Sequence, residues 1–425
     1  MKRRSFLATV GATGAAATLA ACGGDSSPQP GGGDAELTPD TEATLTMFYW
    51  DKNQTPTVQA NIDRFNETYP NITVTTSIAA YADYWTKLRT QAEGDQLPDV
   101  FWMNGPNIQL YASNGMLAPL DDLTDVDWSN YPEALVDLYT VEDVHYGVPK
   151  DYDTIAVFAN KKIFEDAGVA LPTDGWTWEE HNAAARQIAA SGVHGLVGTI
   201  GAADGQGSYY NTIAQAGGYV IKDGKSGFAD EASIKGLTFW SDLVADGTIP
   251  SLQVMSDTTP TTLFANGQAG MFWAGSWMVG AFAEQMESLD DVIILPLPQD
   301  QQQGTIIHGL SYVASAKSTN LAAAKALVQA MTTQEAAEAE AANGTAIPAF
   351  NGTQQAWVDG RPGMQLDVFT TGAEEYSVAY PVSKNTAAWE DLQSQILPDA
   401  FAGNVPMEEA AAQLAEQMDA LLAKE

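Results

Sequence analysis

Residues 44–103 read TLTMFYWDKNQTPTVQANIDRFNETYPNITVTTSIAAYADYWTKLRTQAEGDQLPDVFWM. The run 44–50 is β-branched and aromatic and predicts a strand. Over 57–69, Val58, Ile62, Phe65 and Tyr69 recur at helical spacing, and Pro70-Asn71 ends that helix. The run 72–78 (ITVTTSI) predicts a second strand. A second helix follows over 81–93, with Tyr84 or Trp85, Leu88 and Ala92 on one face. Pro98 breaks the chain, and 100–103 predicts a short buried strand. This β-α-β-α-β order implies a parallel sheet covered by helices. Such sheets bind ligands beyond the carboxyl ends of their strands. Trp50-Asp51 follows the first strand and Asn104-Gly105 the third.

Further along, 146–160 (YGVPKDYDTIAVFAN) predicts one long extended run, with a helix beginning near Lys161. Residues 178–191 predict a helix N-capped by Thr177. Strands are predicted at 196–200, 270–274, 292–295 and 310–314, and helices at 234–246, 260–266, 319–330, 333–342 and 408–424. No repeat of 20–50 residues is visible. With 425 residues, at about 150 per domain, two or three domains or two large lobes are expected. Hydrophobic residues make up 45 %, enough for sizeable cores.

There are 19 basic and 54 acidic residues, a net charge of −35. That argues against a nucleic-acid partner, which needs a basic face to displace counterions, and it also fits a plain well-solvated acidic surface. It suits a neutral or cationic ligand and a soluble monomer. Cys22 is the one cysteine, so the chain holds no internal disulfide and no thiolate zinc cluster. His145, His181, His194 and His308 never stand three or four residues apart, so no helical metal pair forms and no cofactor or metal is expected.

Residues 1–22 read as an export signal. Lys2, Arg3 and Arg4 precede a small-residue apolar stretch ending in Leu19-Ala20-Ala21-Cys22, which resembles a bacterial lipobox. In such lipoproteins the chain is cut before the cysteine, which is then acylated. Arg3-Arg4-Ser5-Phe6-Leu7 also resembles a twin-arginine signal. Residues 23–43, rich in Gly, Pro, Ser and acid, read as a flexible tether. The expected location is the extracytoplasmic side of the cell membrane, held by a lipid anchor.

Catalytic motifs are near misses. Gly205-Gln206-Gly207 opens like a dinucleotide fingerprint, but Tyr210 replaces the third glycine. Gly224-Lys225-Ser226 lacks the upstream glycine of a phosphate loop. Gly275-Ser276-Trp277 lacks the last glycine of a nucleophile elbow. Asp151 and Asp153, two apart in an extended run, share a face and suit glycosidase chemistry, acceptance of hydroxyl hydrogen bonds or a plain surface loop, and the pair alone does not decide. Several of the 11 tryptophans stand beside polar groups: Trp50-Asp51, Trp102 near Asn104, Trp273 and Trp277 around Ser276, and Trp389-Glu390. An indole stacks on the apolar face of a sugar while carboxylates and amides take its hydroxyls.

Leu97-Pro98-Asp99-Val100, Gly147-Val148-Pro149, Gln215-Ala216-Gly217-Gly218, the run 264–271 (FANGQAGM) leading to Gly275-Ser276-Trp277, Leu295-Pro296-Leu297-Pro298 and Ala346-Ile347-Pro348 follow one another in order. Together they resemble the bacterial extracellular solute-binding proteins of ABC importers, family 1, the sugar-binding group of the maltose-binding type, over about 44–425. The resemblance implies two α/β lobes of the periplasmic-binding-protein type with a hinged cleft. It implies lobe one at 44–150 plus 299–343, lobe two at 155–295 plus 348–425, and crossings near 150–155, 295–299 and 343–348. It implies ligand contacts from Trp50, Asp51, Asn104, Asp151, Asp153, Trp273, Ser276, Trp277, His308 and Gly309, with Tyr380 and Trp389 as a stacking platform. It also implies delivery of a sugar or oligosaccharide to the transmembrane subunits of a permease. Relatives often carry a basic residue after Ile-Pro where this chain has Ala349-Phe350, which points away from an anionic ligand; Arg361 reads as a solvated loop residue. A polyamine receptor and a glycoside hydrolase using Asp151 or Asp153 are the competing readings.

Overall fold

The computed structural model describes residues 37–172, 175–201 and 205–425. Two sheets organise them. In the first, the strands Ile347–Pro348, Val148–Asp153, Thr305–Ala314, Val100–Asn104, Ala43–Tyr49 and Ile72–Ile78 lie in that order, and Ser377–Ala379 pairs with Thr305–Ala314. Ala43–Tyr49 runs parallel to both Ile72–Ile78 and Val100–Asn104, as their spacing predicted. Thr305–Ala314 returns antiparallel between Val100–Asn104 and Val148–Asp153, so the sheet is mixed. In the second sheet the order is Val292–Leu295, Ile155–Asn160, Ala269–Gly275, His194–Val197. The result is a two-lobed α/β fold with helices packed on both sheets.

Burial follows position. Val100–Asn104 is interior and all five residues are buried. Ile72–Ile78 is an edge, and it turns Thr73, Thr75 and Ser77 to water. The helix Thr55–Thr68 starts with Pro56, whose missing N–H costs nothing in a first turn, and buries Val58, Ile62 and Phe65. The helix Tyr81–Glu93 buries Tyr84 and Leu88 completely, and the Tyr84 hydroxyl donates to the Trp102 carbonyl at 2.6 Å. Thr177 caps the helix Trp178–Ala190 as expected, in a reciprocal box with Glu180.

The extended run expected over 146–160 is two strands, Val148–Asp153 and Ile155–Asn160, in different sheets. Alternation reports extension and is silent about which sheet a strand joins. Only Thr154 separates them; it is fully buried and its hydroxyl donates to the Phe369 carbonyl at 2.8 Å. The second crossing lies later than the expected 295–299. Gln299 donates to Trp176 at 2.8 Å and Gln301 to Gln215 at 3.1 Å, so the chain stays on the second lobe until Thr305. The third also lies later than 343–348. Ala349 donates to Lys150 at 3.0 Å and Asn351 to Asn130 at 2.7 Å, both on the first lobe. The first two crossings touch: the Thr305 hydroxyl accepts the Ile155 N–H at 2.8 Å and donates to the Ile155 carbonyl at 3.0 Å.

The leader 1–22, Cys22 and residues 23–36 of the expected tether lie outside the described residues. The tether ends earlier than 43. Leu37 packs half-buried against the core, Thr41 donates to Thr38 at 3.0 Å, and the first strand begins at Ala43. Among the described residues no helix is long and apolar enough to cross a membrane.

Candidate ligand-binding cleft

A cavity of about 500 Å³ opens between the lobes, within the range of small-ligand sites. On the first lobe it is lined by residues at or just past the ends of parallel strands: Trp50, Asp51 and Gln54 after the first, Tyr81 after the second, Asn104 at the end of the third. Asp51 ends the strand by capping the turn Lys52–Gln54, accepting the Asn53 N–H at 2.9 Å. The half-buried Trp50 is wedged by neighbouring rings, with centroids 4.9 Å from Tyr84, 5.1 Å from Trp102 and 5.5 Å from Tyr81, all edge-on. Its plane is therefore fixed before any ligand arrives. Asn104 accepts from the Asn107 amide at 2.8 Å and donates to the Tyr81 hydroxyl at 3.4 Å.

The second lobe contributes Gln206, Ser276 and Trp277. Trp277 stands just past the strand Ala269–Gly275 and begins the helix Met278–Gln285. It is 42 % exposed, an unusual state for an indole in a cavity wall. Its ring lies over Gly275, where a Cβ would fall 1.8 Å from a ring carbon, so only glycine permits this pose.

Asp151, Asp153 and His308 form the floor. Asp151 is committed on both oxygens: one accepts the Leu310 N–H at 2.9 Å, the other Lys150 Nζ at 2.5 Å. Lys150 also donates to Gln54 at 2.7 Å and Glu340 at 2.6 Å, and sits 4.6 Å from the Trp102 ring. Burial works against its charge, but the attraction of Asp151 and Glu340 outweighs that and holds its pKa above the usual range. Burial raises Glu340, with Lys150 pulling the other way. Asp153 accepts from the Gln206 amide, a contact across the cleft. His308 Nε2 accepts the Gly105 N–H at 3.1 Å, at the start of the helix Gly105–Ser113. Burial pushes His308 down to about 3. The ring is therefore neutral at pH 7, and its proton sits on Nδ1, 4.0 Å from Asp153.

Of the expected contacts, Trp50, Asp51, Asn104, Asp151, Asp153, Ser276, Trp277 and His308 line this cavity. Four do not. Trp273 lies inside its strand and is fully buried in the second lobe's core, donating to His181 at 3.1 Å and packing on Phe239 and Trp240. Gly309 serves packing: a Cβ there would fall 2.1 Å from the Asp151 carbonyl, and Leu310 faces the cleft instead. Tyr380 is buried behind His308, ring centroids 4.8 Å apart. Trp389 is buried and donates to Ser383 at 3.0 Å. Tyr81 and Gln206 were missed. The strand-end logic that found Trp50 and Asn104 reaches Tyr81 as well, since it starts the helix after the second parallel strand. Gln206 carried no sequence signal beyond a Gly-flanked turn.

Two α/β lobes facing each other over an aromatic and carboxylate-lined cleft define a solute-binding fold. The chain belongs to the bacterial extracellular solute-binding protein family, whose pattern it matches over residues 51–338. The diacetylchitobiose binding protein DasA of Streptomyces coelicolor is 25 % identical over 334 residues, 75 % of this chain and 76 % of that protein. Among solved structures, the ABC substrate-binding protein Lmo0181 from Listeria monocytogenes, in complex with cycloalternan, matches with a TM-score of 0.82 at 24 % identity, over 90 % of this chain and all of that one. The GacH receptor of Streptomyces glaucescens, solved unliganded and with acarbose, matches with a TM-score of 0.79 at 21 % identity, over 90 % of this chain and 99 % of the other.

Proposed function

We propose that this chain is the exported receptor of an ABC importer, anchored by a lipid on Cys22, that captures a neutral sugar or oligosaccharide and presents it to the permease subunits. The observation that carries this reading is one cavity lined by aromatic rings from both lobes, Trp50 and Tyr81 on the first and Trp277 on the second, together with Asp51, Asn104, Asp153 and neutral His308. Stacking takes the apolar face of a pyranose and the polar groups take its hydroxyls. Because both lobes contribute, ligand binds the closed arrangement better and shifts the population toward it. The lobes turn about Thr154, the stretch near Thr305, and the stretch beyond Asn351. The protein acts as a monomer, without a cofactor.

Hydrolysis through Asp151 is disfavoured, because its two oxygens are both taken by internal donors, and Asp153 already accepts from Gln206 on one oxygen. The diacetylchitobiose binding protein and the Listeria substrate-binding protein described above are binding proteins, which supports the same reading. The experiment is a calorimetric and tryptophan-fluorescence titration of the chain from Gly23 against mono- and oligosaccharides, with spermidine as a control. Saturable sugar binding with the sugar recovered intact is the expected result. Binding of spermidine alone would establish a polyamine receptor, and recovery of cleaved sugar a hydrolase.

A further inference from the structure

Beneath the cleft floor lies a buried cation that is not among the residues lining the cavity. The Lys150 side chain is 1 % exposed, although its neighbour Asp151 lines the cavity. An ammonium has three donors, and all three are spoken for: Gln54, Asp151 and Glu340 take one each. The face of Trp102 covers the head. Each acceptor leads to a different wall. Gln54 donates onward to Asp51 at 3.3 Å. Asp151 holds the Leu310 N–H on the returning strand. Glu340 sits near the end of the helix Gln334–Asn343, which delivers Thr345 and Ala346 to the rim.

We propose that Lys150 is a positioning residue of the ligand cleft: without touching ligand, it holds Asp51, Asp151 and the 344–346 rim in the arrangement that binds. This rests on the saccharide-receptor reading. The charged and titratable groups facing the ammonium are Asp151 on its own strand, Glu340 on the helix Gln334–Asn343 and Tyr312 on the strand Thr305–Ala314; Asp51 lies beyond, facing Glu340. Remove the cation and two buried carboxylates are left together, which cannot both stay ionised without moving apart. The walls they hold then separate at neutral pH. On acidification one carboxylate takes a proton, can donate to the other, and restores part of the geometry. With Lys150 in place the ammonium stays charged over this range and keeps a donor on each carboxylate, so the geometry changes little even where Glu340 takes up a proton.

The test uses the purified full chain and four probes, maltotriose, cellotriose, galactobiose and diacetylchitobiose, and follows whichever the unaltered protein binds tightest. Lys150→Met is expected to weaken that probe at least tenfold at pH 7.5 and to recover at least threefold at pH 5.5. The unaltered protein should change less than twofold. Lys150→Met with Glu340→Gln should lose the pH dependence. A folded Lys150→Met protein that binds within twofold of the parent overturns the proposal. If that variant does not fold, Glu340→Gln decides: it leaves the Lys150–Asp151 pair, should weaken binding about threefold, and overturns the proposal if affinity is unchanged. If the parent binds none of the probes, the saccharide reading falls separately. Tryptophan emission then reads the proposal alone: Lys150→Met should add a transition between pH 5 and 8 that the parent lacks, and a variant whose titration matches the parent's overturns it.

Discussion

Trp277 and its support, Gly275, form the exposed aromatic part of the cavity's second-lobe wall. The indole is half-exposed because its underside rests on a residue without a side chain. Trp277→Ala should weaken saccharide binding at least tenfold, about 1.4 kcal/mol, the scale of one aromatic stacking contact. Gly275→Ala should lose nearly as much while keeping the tryptophan, since a Cβ must displace the ring. Paired calorimetric titrations check both, and normal affinity in Gly275→Ala would show that the pose is not needed. Two buried histidines lower stability on the acid side, and buried Glu340, raised by burial, opposes them. Burial holds His308 down to about 3 and His181 to about 4. Both are neutral when folded and protonate near pH 6.5 when unfolded. The unfolded state therefore takes up more protons below that pH, and stability falls as pH drops from about 6.5 toward 4, by at most about 1.4 kcal/mol per unit per group. Melting temperatures at pH 7.5, 6.0 and 5.0 measure the slope, and His181→Phe should flatten it.

At the scale of elements, the capping box on the helix Trp178–Ala190 offers a direct check: Thr177→Ala should cost about 1 kcal/mol in denaturant unfolding without altering ligand affinity. That helix was legible because Thr177 and Glu180 stand at capping spacing. The first three strands and two helices were legible for a similar reason, since apolar spacing and Pro breaks recur at β/α intervals. Their strand ends then gave Trp50, Asp51 and Asn104 directly. Elsewhere the code is non-local. Alternation through 146–160 cannot say that a sheet ends at Asp153 and another begins at Ile155. The helix Thr386–Phe401 was hidden by Pro398 inside it and by Glu390 and Gln393 on its buried face. Trp273 and Trp277 flank the same serine four residues apart, yet one lies inside a strand and the other past its end. A single sequence carries an aromatic's identity but not its depth, which is why Tyr380 and Trp389 read as platform residues and lie in the interior.

For the whole molecule, charge and hinge geometry combine. Asp51, Asp151 and Asp153 line the cleft with no lysine or arginine among the described lining residues, in a chain of net charge −35. A saccharide carrying a uronate should bind at least tenfold more weakly than its neutral counterpart. The gap should narrow between about 20 mM and 300 mM salt as screening shortens the reach of the field. Titrations at the two salt concentrations check this, and equal affinities would show the carboxylates to be neutralised. Small-angle scattering should record a smaller radius of gyration with saturating ligand, because closure brings the lobes together.

Thr154 stands alone between a strand of one lobe and a strand of the other, buried and bonded on its hydroxyl. A gate hung on such a joint has no slack to gather. Fixing a backbone residue costs about 1–2 kcal/mol, so a disordered flap of about ten residues would consume roughly 10–20 kcal/mol of ligand contacts before any affinity appeared. Here the segments on either side of the joint are regular strands. Capture should therefore carry the heat-capacity change of the surface it buries and none of the larger change of coupled folding. A receptor hung this way has no disorder to re-form when it lets go, which suits one that must give up its cargo as readily as it takes it.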